Sequence, residues 1–216
     1  MPDVRSGRPS LRAAGMPGFA LCLTLLFPLA AQGAEPLKDW PCREPMVAPL
    51  TAAMVWPDRH PEALAALPPD RAWEADPRVR DLVEFAANPE NSPDVGGAAI
   101  ARFAAGQGSD RQAALMLTLS GVVDLTNRLR AIMIDGIGVN VTRSEILADQ
   151  VNANTAALAS AQDSAAPNPA DIRQARFWNL RRLDKAEDDA AMICRKIAYS
   201  ERKLRALAQA VSKALD

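Results

Sequence analysis

His60 is the one histidine among 216 residues, so a Ser-His-Asp or Cys-His catalytic site would have to be built on it. It lies in a proline-rich stretch between Arg59 and Pro61, which reads as a solvated loop. Paired carboxylates are the next chemistry to consider. Asp184 and Asp188 share a helix face at a four-residue spacing, within the cluster Asp184, Glu187, Asp188 and Asp189. Arg181, Arg182 and Lys185 interleave with them, and that mixture describes a salt-bridged, solvated surface better than an acid/base dyad. Met46, Met54, Met116, Met133 and Met192 are scattered and read as core filler, not as metal ligands. Gly96 and Gly97, and Gly106 with Gly108, lack the strand-to-helix setting of a phosphate loop. No catalytic residue or metal ligand is expected, no cofactor is implied, and the residues of any cofactor site are left open.

Sulfur chemistry depends on compartment. Arg5, Arg8 and Arg12 precede an apolar run at 19–31, and the small residues Ala31, Gly33 and Ala34 follow. This is the layout of a secretory signal peptide, with cleavage near Gly33 or Ala34. The run is about 13 residues long and carries Pro28, too short for a spanning helix of roughly 20. Removing 1–34 also removes Cys22 and leaves Cys42 and Cys194. In an oxidising compartment these two are expected to form one disulfide. Two free buried thiols or an intermolecular bridge are the alternatives. The expected destination is the periplasm or the exterior.

The elements that must carry these residues are helical. The chain has 42 alanines, 49% hydrophobic residues and only 5% aromatics, a mixture suited to helices and poor for an all-β domain. The net charge is −1, and the leader holds three arginines and Asp3, so its loss leaves 22 basic and 25 acidic residues. A dedicated nucleic-acid binder would be basic. Residues 35–101 carry six basic and twelve acidic residues, while 172–216 carry eleven and six. The two regions are expected to attract and to dock on each other.

Eleven of the 17 prolines fall at 36–93, together with Trp40, Trp56 and Trp73. Frequent prolines forbid a long helix, and tryptophans stabilise only when buried. Residues 35–60 are therefore expected to be an extended arm packed on a helical body. A short helix is expected at 62–67. Asp76 with Pro77, and Ser92 with Pro93, should open helices that run to about Ala87 and Ala105. Ser109 should cap a long helix. Its stripe is Leu115, Leu119, Val122, Leu125, Leu129 and Ile132, continued on a rotated face by Met133, Ile137 and Val141. Gly136, Gly138 and the Thr142/Glu145 capping box are expected to weaken or break it. A turn at 163–168 leads to a helix opened by Asn168 and Pro169. Leu183, Ala186, Ala190, Ile193, Ile197, Ser200, Leu204, Leu207, Val211 and Ala214 form a heptad seam there, a coiled-coil pattern. Trp178 and Tyr199 are candidate docking surface for the arm's tryptophans, with ordinary core packing as the alternative.

The expected fold is all-α: a long antiparallel helical hairpin, 109–162 against 169–215, with shorter helices and a Pro/Trp-rich N-terminal arm packed on it. The domains are a signal peptide at 1–34, the arm at 35–75 and a helical domain at 76–216. Asp39, Trp40, Pro41 and Cys42 in succession, with Pro45 and Pro49, precede a long helical body with a cysteine in its last helix. This layout resembles a set of secreted helical proteins of Proteobacteria. The resemblance implies a periplasmic location and adds no site residues. The function read from these features is a non-enzymatic protein-interaction or accessory module. Its partner would be another protein, or a second copy pairing through the heptad seam. The alternative is a small-molecule or cofactor-binding helical module serving an envelope enzyme or transport system. Its pocket would lie where Trp40 or Trp56 meets the hairpin, or near Trp178.

Overall fold

Three of the helices start where a side-chain oxygen accepts a hydrogen bond just before or at a proline. The computed structural model describes residues 40–46, 49–56, 60–160 and 168–216, within the unit Glu35–Asp216. The proposed leader, its cleavage site and the turn at 163–167 lie outside the described residues. Two short helices come first, α1 (Ala52–Val55) and α2 (Pro61–Ala65). Asp76 then accepts from the Arg78 N–H and Pro77 opens α3 (Pro77–Ala87). Ser92 accepts from the Val95 N–H before α4 (Pro93–Ala105). A long helix, α5 (Arg111–Ser160), pairs with α6 (Pro169–Lys213), whose N-cap Asn168 accepts from the Ala170 N–H. The fold is all-α, and the α5/α6 hairpin is its spine.

The hairpin is antiparallel, and its register is visible in two contacts. Arg130 Nε donates to Glu201 at 3.0 Å, and Arg176 Nε donates to Thr155 Oγ1 at 3.0 Å. The heptad seam of α6 faces α5, with Ala186, Ala190, Ile197, Leu204, Leu207 and Val211 buried. That seam is buried inside the chain. The core lies at the end of the hairpin where α3 and α4 pack on it. Trp73, Val79, Val83, Ile100, Leu115, Leu119 and Leu204 are fully or almost fully buried there.

Several local expectations are corrected. The arm is not extended throughout, because α1 interrupts it: burial of Leu50, Ala52, Val55 and Trp56 on the core stabilises the single turn. Ser109 does not cap α5. It sits in a 3-10 turn, Gly108–Asp110, and its hydroxyl donates to Asp110. α5 does not break at Gly136, Gly138 or Thr142. Packing along α6 outweighs the weak propensity of the glycines, and Asn140 donates its amide to the Gly136 carbonyl. Ile132 leaves the buried stripe and is 68% exposed, because the face that meets α6 has rotated onto Met133 and Ile137. Among the five methionines only Met116 is fully buried core; Met54 and Met192 are exposed.

Gly121 sets the distance between α3 and α5. A Cβ there would lie 2.6 and 2.9 Å from the Val83 methyls and 3.0 Å from the Trp73 ring. The Trp73 indole also donates to Asp124 at 3.1 Å, so the ring cannot retreat without losing that bond. Gly121→Ala is expected to destabilise by about 2 kcal/mol. Denaturant unfolding tests this, and an unchanged midpoint would mean that α3 yields freely.

Candidate interaction surface

Cys42 and Cys194 form a disulfide with Cα atoms 5.4 Å apart. Cys194 lies near the middle of α6, so the bridge holds residues 40–46 against one side of the hairpin beyond the α3/α4 core. Around it, Trp40, Met46, Arg130, Ile197 and Glu201 leave a space of about 10 Å³, room for one water at most. Arg130 is 3% exposed and its guanidinium lies 2.9 Å from Glu201. Further along, Asn127 grips the arm's backbone: its oxygen accepts from the Leu50 N–H and its amide donates to the Leu50 carbonyl. Sequence reading missed Asn127 and Arg130, since a lone polar residue within an apolar stripe does not announce a long-range partner.

Beyond the arm's attachment the hairpin is two helices thick and has two faces. One face presents Trp40, Pro41, Val141, Ser144, Glu187 and Ala190 around an open groove. The other groove is lined only by the two long helices, through Val139, Arg143, Ile146, Gln150, Arg182 and Lys185. Ile132, Val139 and Ile146 on α5, and Trp178, Met192 and Tyr199 on α6, are all exposed. Trp178 makes an edge-to-face contact with its neighbour Phe177, with ring centroids 5.2 Å apart and planes at 73°, and is 53% exposed. Trp178 and Tyr199 therefore neither receive the arm's tryptophans nor sit in the core. Trp56 and Trp73 pack into the α3/α4 core instead, and Trp40 lies beside the disulfide.

The remaining sequence candidates fall elsewhere. His60 is not a free loop residue: its Nε2 lies 2.9 Å from Asp216 Oδ1, and its left-handed backbone (φ 52°) turns the chain into α2. Asp184, Glu187 and Asp188 are exposed, and Asp189 binds Lys185 at 2.9 Å, forming a charged surface. Among the described residues no ion pair joins a lysine or arginine of 172–216 to a carboxylate of 35–101, so the expected docking by charge is not what holds the layers. Apolar packing joins the layers, and Lys203, 4% exposed, adds a polar tie by donating to the carbonyls of Asn88 and of Asn91, the latter at 2.8 Å. Burial pushes its pKa down, and the α3–α4 loop carbonyls supply its hydrogen bonds. Hydrogen bonds from Arg71, then Arg128, hold the Glu74 carboxyl below its ordinary value and tie the Ala72–Ala75 turn to α5.

No described group of three or more His, Cys, Asp or Glu is placed to hold a metal ion, and no described helix is long and apolar enough to cross a membrane. Searches against protein-family models, curated proteins and solved structures find no match for this chain.

Proposed function

We propose that this chain is a non-enzymatic, exported interaction module that binds another protein chain by helix-to-helix contact along the bare face of the hairpin. The observation that carries the reading is that face itself: six large apolar side chains exposed on two long rigid helices. Side chains of this size are depleted from surfaces that only meet water, and contiguous apolar patches mark contact sites. Among the described residues, the arm is stapled to the opposite face and none covers this one. A periplasmic or secreted setting is supported by the basic and apolar pattern of residues 1–34 and by the disulfide, which persists in oxidising compartments. The competing small-molecule reading needs a deep apolar cavity near Trp40, Trp56 or Trp178; Trp56 is packed into the core. The space between Trp40 and the bridge is nearly filled, the larger space beside Trp40, about 660 Å³, is an open surface groove and not a deep cavity, and Trp178 stands exposed on the surface.

A photo-crosslinking residue placed at Val139 or Ile146 tests this in the producing cell. A covalent adduct to a protein chain is expected from these positions and not from Arg205, which lies on an exposed side of α6 beside the core. Equal labelling at all three, or none at Val139 and Ile146, would refute the reading.

A further inference from the structure

The structure assigns an occupant to the bare face: we infer that a second copy of this chain lies on it, the two hairpins forming a four-helix bundle. This rests on the interaction reading above and names its partner.

The face has the periodicity of a bundle interior. Ile132, Val139 and Ile146 recur every seven residues on α5 and are 68%, 60% and 53% exposed. On α6, Trp178, Lys185, Met192 and Tyr199 follow the same seven-residue spacing. Heptad spacing keeps a stripe in line only when another helix winds against it. α5 and α6 already use a different seam against each other, so this second stripe is left without a described partner.

Size fits as well. From the level of Ile132 to that of Ala153 the stripe is about 32 Å long, and two helices side by side are about 20 Å wide. That area, about 640 Å² per copy, gives a total close to 1,300 Å², within the range of stable interfaces.

Charge selects the arrangement. Positions of α5 and α6 that lie side by side have numbers summing to about 331, as Arg130 with Glu201 and Thr155 with Arg176 show. A two-fold axis parallel to the helices therefore lays α5 of one copy over α6 of the other in the same register. Ile132 then meets Tyr199, Val139 meets Met192, and Ile146 covers the aliphatic stem of Lys185. Along the outer edge Asp135 meets Arg195 and Asp149 meets Arg181; nearer the centre Arg143 meets Asp189. Asp135, Arg143, Asp149 and Arg195 are exposed and make no ion pair among the described residues, whereas Asp189 already binds Lys185 and Arg181 lies over the Phe177 ring, so Asp135 with Arg195 is the pair that carries the selection. Turning the second copy end over end instead, α6 on α6, sets Arg181 against Arg195 twice. Opposite charges at the rim and like charges in the wrong arrangement are how helical pairs fix their orientation.

Light scattering and sedimentation of the disulfide-bonded chain test the inference. A dimer is expected at micromolar concentration. Asp135→Arg or Arg195→Asp alone should weaken association about tenfold or more, because each places like charges together at two symmetric sites. The two substitutions combined should restore it. Both positions are exposed, so folding is not at stake, and circular dichroism would verify this. A monomeric parent chain, or a double variant no tighter than the singles, overturns the inference. If the parent is monomeric and Val139 crosslinks to a different protein, self-pairing fails while the interaction reading stands. If it crosslinks to nothing, both fail.

Discussion

Cys194→Ser is expected to lower the stability of the folded chain by as much as about 5 kcal/mol, the loop-entropy value for a bridge that closes a loop of this length. The two cysteines are 152 positions apart, so the cross-link restricts almost the whole described chain when unfolded. The local consequence is separable from the global one. Residues 49–56 remain held by Asn127 and by burial of Leu50, Val55 and Trp56. Residues 40–46 pack beside Arg130, Ile197 and Glu201, and among the described residues the Trp40 indole donates to the nearby Glu44 carbonyl, a bond within the segment itself. The variant should therefore become sensitive to trypsin at Arg43 under native conditions while cleavage at Arg71 stays slow. Denaturant unfolding and timed proteolysis measure both effects. A stability change below about 1 kcal/mol, with Arg43 still protected, would show that the bridge contributes neither to cooperativity nor to holding the arm.

Arg130→Met should be nearly as damaging, at about 3–5 kcal/mol, because it leaves the Glu201 carboxylate without its guanidinium in a largely dry junction. Glu201 has only 15% of its side chain exposed, and the disulfide, Trp40 and Ile197 close the space around the pair. The charge and its desolvation remain after the substitution while the compensating hydrogen bonds at 2.9 and 3.0 Å are gone. Adding Glu201→Leu should recover most of the loss, since an apolar pair of similar volume no longer has a charge to solvate. Equilibrium unfolding of the two single variants and the double completes the cycle. A double variant as unstable as the sum of the singles would mean that the pair is not coupled.

The two effects meet at one place on α6, where the bridge could be foreseen and the polar contacts of Arg130 and Asn127 beside it could not. Cys42 and Cys194 were legible because, once residues 1–34 are set aside as an expected leader, two thiols leave one intramolecular pairing. Helix starts at Asp76, Ser92 and Asn168 were legible because a cap is a local bond between neighbours in sequence. The continuity of α5 through Gly136 and Gly138 was not, because it depends on side chains more than fifty positions away along α6.

Sequence alone determined the helical class, the hairpin and the α6 seam, since hydrophobic period and capping are written within a few residues of each other. The tertiary structure decided which of the two heptad stripes is buried within the chain and which stays open. Ile132, Val139 and Ile146 look as apolar in sequence as Ile137, and Trp178 as bulky as Trp56. Only the rotation of α5 against α6, and the side on which the arm is stapled, sends one set inward and leaves the other facing out. That choice is a sum over contacts between distant residues, which no local pattern encodes.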